Sequence, residues 1–441
     1  MKNFKTWLLT GSNYVNTKII FLAPEEDSDY FSLGDRRERT ITEKLGIIHL
    51  ASYLISLGWT FETAKLIDAE TIGKICPNAY VGISSHINNY GNALKLAHIA
   101  KQSNCKAVIL GGPHPTNRAE QIIRNQPDVD YVIVGQGELA LEKILSDKAH
   151  KGVVEEIHLP LFELPTRERN LWPVGQAEMS GKKMSLAFFS EGCPQTMAGN
   201  ACLFCSIHHA TKYSQRSVDQ VVKEMTQLQS LGYESFEITD DDFPRSFGKE
   251  NLKLLAQEIK NHNLSLNIYI HAGIRSCSRE ILELLKEIGV VIIQTGLETA
   301  DLKIKKQSAN KSTSKEEQAF FKNCQELEFK LHLSVVFGMT GENKETMEKT
   351  CREIENLAEA GLIWAIQADP LLPLPGSKAF NLLCVKYPGF INIDRIDIYK
   401  LMQVWFAAFT DIDLEYVIQR RKKLFKKVNP EAIGGLLLKI M

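Results

Sequence analysis

The sequence predicts an α/β protein in two parts: a doubly wound, Rossmann-like sheet over residues 1–150 and a partial (β/α)6 barrel over residues 183–385, followed by a helical segment at 386–441. Three observations predict it. Short apolar runs alternate with helix-length segments along most of the chain, the pattern of parallel sheets with crossover helices. Glycines cluster where the first group of apolar runs ends, as at the ligand edge of an open sheet. From Met184 onward six more strand–helix units follow, which suggests a parallel barrel left partly open, with functional groups at the C-terminal ends of its strands.

In the first part, an apolar strand at 18–24 is followed by a polar loop and by a helix at 45–57 whose apolar residues recur at helical spacing. Further strands are expected at 61–67, followed by Asp68, and at 79–84, ending in Ser84 and Ser85. The strand at 107–110 runs into Gly111-Gly112-Pro113-His114, and the one at 131–134 into Gly135-Gln136-Gly137-Glu138. A lone Gly-Gly after a strand is usually only a tight turn. Here such strand ends recur in order, behind a helix that contains Leu45-Gly46-Ile47-Ile48-His49-Leu50-Ala51. Residues 151–182 read as a linker, punctuated by proline and without periodicity. The barrel strands are expected at 184–189, 235–239, 266–270, 290–295, 331–337 and 363–368, with helices between them such as 217–231, 280–289 and 343–361. From about Tyr387 the pattern is helical and amphipathic, ending in a basic helix around 414–427 that is expected to cap the barrel or one edge of its site.

A chain of 441 residues that is 44% hydrophobic can bury two sizeable cores. A net charge of −1 supplies no overall attraction to nucleic acid or anionic membranes. No apolar run approaches the roughly 18 residues of a membrane span, and residues 1–16 hold only a brief apolar piece, so neither a span nor an export signal is expected. Nine cysteines at irregular positions do not form a disulfide framework, and a cytoplasmic location is expected. Cys76, Cys105, Cys277, Cys324, Cys351 and Cys384 read as small buried hydrophobes or incidental thiols.

Cys193, Cys202 and Cys205 stand apart, on one loop just after an apolar strand. Three thiolates on one loop can hold three irons of a four-iron cluster and leave the fourth open to a ligand. The same spacing also fits a zinc site completed by His208 or His209, or three unconnected core cysteines.

With Phe204 directly before the third cysteine, this stretch resembles the cluster loop of the radical S-adenosylmethionine (SAM) enzymes, whose Cys-x3-Cys-x2-Cys motif binds a [4Fe-4S] cluster. The resemblance continues in family order. It runs through Arg216-Ser217-Val218, the strand and acidic turn Phe236-Glu237-Ile238-Thr239-Asp240-Asp241-Asp242-Phe243, Ile274-Arg275, Gly296-Leu297-Glu298, Val336-Phe337-Gly338-Met339-Thr340-Gly341-Glu342 and Pro373-Leu374-Pro375-Gly376-Ser377. It implies that the open iron is chelated by SAM and that reductive cleavage yields a 5′-deoxyadenosyl radical. By the same resemblance Phe204 belongs to the SAM site, Asp240 and Asp241 lie near the methionine amino group, Glu298 near the ribose, and Gly338 to Glu342 near the adenine. Arg275 or Lys306 would meet the SAM carboxylate, or else form surface ion pairs; Asp240 and Asp241 could instead cap the following turn. One departure is plain: eight residues, not three, separate Cys193 from Cys202.

The first domain resembles the cobalamin-binding domain that precedes the barrel in many of these enzymes. That implies cobalamin contacts at Ser84, Ser85, Gly111, Gly112, Pro113, His114, Gly135, Gly137 and Glu138. The loop at 25–43 contains no histidine, and Asp68-Ala69-Glu70-Thr71-Ile72-Gly73 has Glu where a ligand histidine would stand, so the lower axial position is not expected to be histidine. A domain that keeps the fold without the cofactor is the alternative. The resemblance implies a cobalamin-dependent radical SAM enzyme, foremost a methyltransferase acting on an unactivated carbon of a small-molecule substrate, with an electron donor such as flavodoxin or ferredoxin. A rearrangement, cyclisation or dehydration is the second outcome, because the cofactors carry the chemistry. A transfer-RNA-modifying enzyme would need a basic RNA-binding surface that this composition lacks, and no nucleic-acid partner is expected. A non-catalytic cobalamin- or zinc-binding sensor is the reading from another class.

Overall fold

The computed structural model of the chain describes residues 4–11, 17–25, 44–61, 65–67, 69–155, 157–171, 178–179, 181–206, 213–307 and 312–428. They fall into two compact units. The first comprises the described residues up to 171 together with Tyr387–Ile396, and the second comprises the described residues from 178 to 386 and from 397 onward.

The first unit is built on strands β1 (Phe4–Gly11), β2 (Lys18–Ala23), β3 (Trp59–Phe61), β4 (Lys65–Ile67), β5 (Tyr80–Ser84), β6 (Ala107–Gly111), β7 (Tyr131–Ile133) and β8 (Gly152–Val154). Their order is β3-β1-β2-β5-β6-β7-β8, with β4 also on β1. β2, β5, β6 and β7 are parallel neighbours, as the apolar runs predict, and β8, within the stretch read as a linker, extends the parallel row beyond β7. Residues Ile20, Leu22, Val81, Ile83, Val108, Leu110 and Val132 form the sheet's share of a core completed by Ala93, Leu96, Ala97 and Ala100 of the helix Tyr90–Gln102. The chain leaves β2 through the helix Leu45–Ser56 toward β3 on one side and enters β5 on the other, so the strand order reverses at the ends of β2 and β5. A crevice at such a reversal is where open α/β sheets bind ligands.

Two further features of this sheet depart from the sequence reading. β1 is an antiparallel strand inserted between β2 and β3, in register from Lys5↔Ala23 to Thr10↔Lys18. The single strand expected at 61–67 is two pieces, β3 and β4, each antiparallel to β1. Eight residues rich in β-formers pair readily with an exposed edge, but they carry no long-range signal in the sequence.

The segment Tyr387–Ile396, beyond the barrel in sequence, belongs to this first unit. The Asp394 carboxylate accepts hydrogen bonds from the Tyr90 hydroxyl (2.8 Å), Asn125 Nδ2 (2.8 Å) and Gln126 Nε2 (2.7 Å). Arg118 donates to the carbonyls of Phe390, Ile391 and Ile393. An amphipathic pattern cannot say which sheet such a strap joins.

The second unit contains β9 (Glu178–Met179), β10 (Lys182–Ala187), β11 (Ser190–Glu191), β12 (Ser214–Gln215), β13 (Ser235–Ile238), β14 (Asn267–His271), β15 (Val290–Glu298), β16 (Lys330–Phe337) and β17 (Ile363–Pro370). β10, β13, β14, β15, β16 and β17 follow one another as parallel neighbours, and β17 does not close onto β10. This is the partial six-stranded barrel the sequence predicts. Alternation along the strands separates two faces. Phe236, Ile238, Ile268, Ile270, Ile293, Leu331, Leu333 and Val335 are buried apolar residues of one face. Glu237, Tyr269, His271, Gln294, His332, Ser334, Gln367 and Asp369 share the other. Local chemistry starts the helices between strands: Ser217 and Gln220 form a capping box before Val218–Ser230, as do Thr313 and Glu316 before Ser314–Glu326.

The C-terminal helices Ile398–Phe409 and Leu414–Val428 cover the end of β16 and part of β17. The Trp405 indole donates to the Gly338 carbonyl (2.8 Å), and the Phe406 ring lies where a Cβ of residue 338 would be. Gly338 has φ +93°, so glycine is required there on both counts.

Candidate active site

The cysteine loop leaves the C-terminal end of β10, and β11 pairs with β12 to close its neck. Asp240, fully buried after β13, holds that neck: Oδ1 accepts the Phe189 N–H (2.7 Å) and Oδ2 the Ser190 hydroxyl (2.6 Å). Two charge-assisted bonds to one carboxylate fix the start of the loop. Within the loop, the residues that lengthen the Cys193–Cys202 spacing are ordered. Pro194–Met197 is one helical turn, Gly199 takes a left-handed φ of +76°, and the Asn200 N–H returns to the Gln195 carbonyl (2.8 Å). The far side is pinned through Leu203, whose N–H donates to the Gln307 carbonyl (2.9 Å) and whose carbonyl accepts the Ala379 N–H (2.9 Å). Lys378 Nζ caps the Ala201 carbonyl (2.9 Å).

Cys193, Cys202 and Cys205 are half-buried thiols on this loop, and Phe204 between the last two is half-buried as well. Among the described residues no three His, Cys, Asp or Glu side chains, the loop cysteines included, are gathered into a group that could hold a metal ion. His208 and His209 lie outside the described residues. The remaining cysteines offer no competing set: burial pushes the thiols of Cys76, Cys324 and Cys351 up to about 12, raises that of Cys277 well above the ordinary range, and raises Cys105. A buried protonated thiol is a poor metal ligand, so the half-buried loop cysteines are the candidates for holding a thiolate-bound cluster.

Around the strand ends stand acids with displaced titrations. Asp241 has an exposed side chain, and desolvation by the protein around it raises its carboxyl, with His271 opposing. Burial pushes Asp242 to about 6 although it accepts the Ser276 hydroxyl (2.6 Å) and the Gly273 N–H (3.2 Å). Glu298 ends β15 at a bulge with a left-handed φ of +61°, and its carboxylate folds back over Gly296, where any Cβ would overlap it. Burial pushes it to about 8, with Lys305 opposing. Glu342, past the end of β16, is pushed by burial to about 7 although it accepts the Gly338 and Met339 N–H groups. Glu298 Oε2 and Glu342 Oε1 are buried with no hydrogen-bond partner. Unpaired buried oxygens at two neighbouring strand ends, with a left-handed backbone at Glu298, mark a candidate ligand site.

These carboxyls set a pH dependence. Each is raised in the folded protein, so its contribution to stability is fully present below the unfolded value near 4.5 and is lost as pH rises through 7 and 8. The melting temperature of the ligand-free protein is expected to fall between pH 5 and pH 8.5, and Glu298→Gln to flatten that slope; calorimetric scans of both proteins across this range test it.

The other expected SAM contacts separate. Arg275 pairs with Glu316 at 3.5 Å, and at 56% and 44% exposure this is a surface pair. Lys306 is exposed, whereas the preceding Lys305 is buried, ion-paired with Glu317, whose Oε1 also accepts the Ser312 hydroxyl (2.6 Å). A run of lysines reads as a solvated face, so the buried member was invisible in the sequence. Equally missed was the polar wall of the barrel sheet. Gln294 Nε2 donates to Ser334 (2.7 Å) and Gln367 (3.2 Å), its Oε1 accepts from Tyr269, and the Tyr269 hydroxyl also meets His332 Nδ1 (2.8 Å). Burial lowers His332 to about 4, so it is neutral, and satisfying every donor puts its proton on Nδ1 and leaves Nε2 an acceptor. His271 Nε2 lies 2.8 Å from Glu237 on the same wall.

At the edge of the first sheet, Ser85 is buried with its N–H on the Gly111 carbonyl (2.8 Å), and the Ser84 side chain is half-buried. A Cβ at Gly111 would meet nothing within 4 Å, which leaves an open cradle there, while one at Gly112, where φ is +111°, would overlap the Ser85 carbonyl. Pro113 opens the helix Pro113–Asn125. The His114 side chain turns away into the strap: its Nε2 meets the Asp394 carbonyl (2.9 Å), and its ring packs on Tyr90. Gly135 takes φ +67° with its N–H on Thr116 Oγ1 (3.1 Å), and Gly137 packs on Leu50. Glu138 is buried 3.4 Å from His49. The open cradle and the glycine turns fit a large planar ligand at the sheet edge, with backbone rather than the His114 ring facing it.

The barrel segment 188–354 matches the model of the radical SAM superfamily, and residues 45–145 match that of the B12 binding domain. The chain is 25% identical over 388 residues to an uncharacterized methyltransferase of Pyrococcus horikoshii, covering 78% of this chain and 82% of that protein. It is 24% identical over 383 residues to an anaerobic magnesium-protoporphyrin IX monomethyl ester cyclase of Rubrivivax gelatinosus, covering 78% and 67%. Its fold is shared with the cobalamin-dependent SAM radical enzyme OxsB, solved with aqua-cobalamin and SAM bound, at a TM-score of 0.64 and 12% identity over 89% of this chain and 65% of that one. No helix among the described residues is long and apolar enough to cross a membrane. With a B12 binding domain at residues 45–145 leading into a radical SAM domain at 188–354, the chain belongs to the radical SAM enzymes that carry a cobalamin-binding domain.

Proposed function

We propose that the protein is a cobalamin-dependent radical SAM methyltransferase acting on an unactivated carbon of a small-molecule substrate. What carries the reading is that one chain holds both a thiol triad on a barrel loop and an open glycine edge on a B12-type sheet. Cys193, Cys202 and Cys205 would hold the cluster; Phe204, Asp241, Glu298, Gly338 and Glu342 would line the SAM site. Asp240 serves that site by fixing the loop's neck, and Arg275 and Lys306 lie at the surface. Ser84, Ser85, Gly111, Gly112, Pro113, Gly135, Gly137 and Glu138 would face the corrinoid. When bound, these groups supply an electron, a carbon radical able to take hydrogen from an unactivated position, and a transferable methyl group.

The chain's own residues orient and shield. Protonated Glu298 and Glu342 offer both donor and acceptor to hydroxyl and amine groups at the strand ends. Met184, Tyr269 and Ile292, with Val291 and Trp364, form an apolar cluster that keeps water from that part of the barrel sheet. The polar wall from Glu237 to Asp369 would hold the substrate. A flavodoxin- or ferredoxin-like donor and a cytoplasmic location complete the reading.

The test is turnover of protein reconstituted with iron, sulfide and hydroxocobalamin, reduced in the presence of SAM with a deuterated methyl group. Formation of both S-adenosylhomocysteine and 5′-deoxyadenosine supports methyl transfer. 5′-Deoxyadenosine alone favours rearrangement, cyclisation or dehydration, the outcome to which the likeness to a cyclase points.

A further inference from the structure

We infer that Gln307 is a positioning residue that ties the cysteine loop to the turn expected to hold the adenine of SAM, so that the two halves of the site are set as one. Its own N–H ends the preceding helical turn on the Ile304 carbonyl (3.0 Å), and its three other hydrogen bonds run to both. The backbone carbonyl accepts the Leu203 N–H (2.9 Å), within the two-residue interval that separates Cys202 from Cys205. The side-chain amide pairs with the peptide groups of Thr340: Nε2 donates to the Thr340 carbonyl (2.8 Å), and Oε1 accepts the Thr340 N–H (3.1 Å). A primary amide paired in this way imitates a strand partner and fixes both position and orientation, as a single bond would not.

The surroundings give this link its leverage. Leu203 is buried, and its carbonyl is held by Ala379, so the peptide between the cysteines has little freedom of its own. Thr340 sits in the turn from Gly338 to Glu342, itself fastened by the Gly341 N–H on the Phe409 carbonyl (2.9 Å) and by Trp405 on Gly338. The long Cys193–Cys202 segment puts an ordered helical turn between the first cysteine and the other two, so Cys202 and Cys205 need an anchor independent of the loop's neck, and Gln307 and Ala379 provide it.

This inference rests on the proposed SAM site. Gln307→Ala deletes the Thr340 pairing but keeps the backbone bond to Leu203, and Gln307→Glu keeps only the acceptor side of the pairing. Each protein would be reconstituted anaerobically, its iron counted, its SAM affinity measured by equilibrium dialysis, and the electron paramagnetic resonance spectrum of its reduced cluster recorded with and without SAM. The expected result for Gln307→Ala is wild-type iron content and melting temperature, SAM affinity weaker by about tenfold for the two neutral bonds lost, and a blunted spectral response to SAM. Gln307→Glu should fall between the two. Wild-type affinity and spectral response in Gln307→Ala would overturn the inference. A wild-type protein that takes up no iron, or whose cluster ignores SAM, would instead overturn the functional reading beneath it.

Discussion

Replacing Cys193, Cys202 and Cys205 together by Ala should leave the barrel folded and abolish iron, sulfide and SAM cleavage at once. The three thiols are half-buried on a loop whose anchors lie elsewhere: Asp240 at the neck, and the Leu203 and Ala201 backbone groups on the far side. None of those anchors is a cysteine side chain, so the melting temperature of the cluster-free variant should match that of cluster-free wild type to within a few degrees. The chemical loss should be complete, because the six other cysteines are dispersed and most are held as protonated, buried thiols. Metal analysis and a 5′-deoxyadenosine assay on both proteins check this. If the variant loses zinc alone, the cysteine loop is a structural zinc site and the sensor reading gains.

Gly112→Ala should cost the protein its corrinoid and leave its iron intact. With φ at +111°, an alanine at this position is strained, and its Cβ would overlap the Ser85 carbonyl, a backbone atom that cannot move without breaking the Ser85–Gly111 bond between β5 and β6. Strain and overlap together should destabilise the first unit by about 2–4 kcal/mol. Gly111→Ala is the informative partner, because its Cβ would enter open space. That variant should melt like wild type but take up hydroxocobalamin more weakly, since the added methyl group narrows the open edge. The visible spectrum after dialysis separates the two, and equal corrinoid uptake by wild type and Gly111→Ala would mean that the ligand does not approach this edge.

The parallel strands were legible because buried strands declare themselves by continuous apolar runs, and β2, β5, β6, β7 and the six barrel strands lie within a few residues of where those runs stand. β1 was not, because an edge pairing depends on a partner that local pattern does not name. The strap at Tyr387–Ile396 escaped for a related reason: its attachment is made by Asp394 and by backbone carbonyls, and carbonyls leave no trace in a sequence. In the candidate site, the cysteines stood out by type and spacing, and the strand-end acids were expected only from the resemblance to the radical SAM enzymes. The roles of Asp240 at the loop's neck, Lys305 in the core and Gln307 between two loops follow only from three-dimensional neighbours. The wall of Tyr269, Gln294, His332 and Ser334 takes one or two residues from each of three strands at period two, so no single segment displays it.

The most direct measurement is anaerobic reconstitution of the full chain with iron and sulfide, followed by metal analysis and an assay for 5′-deoxyadenosine after reduction with SAM. About four irons per chain are expected, lost in the triple cysteine variant, with formation of 5′-deoxyadenosine that depends on the reductant. Bound zinc without iron, or a cluster that never cleaves SAM, would rule out radical SAM chemistry at this loop.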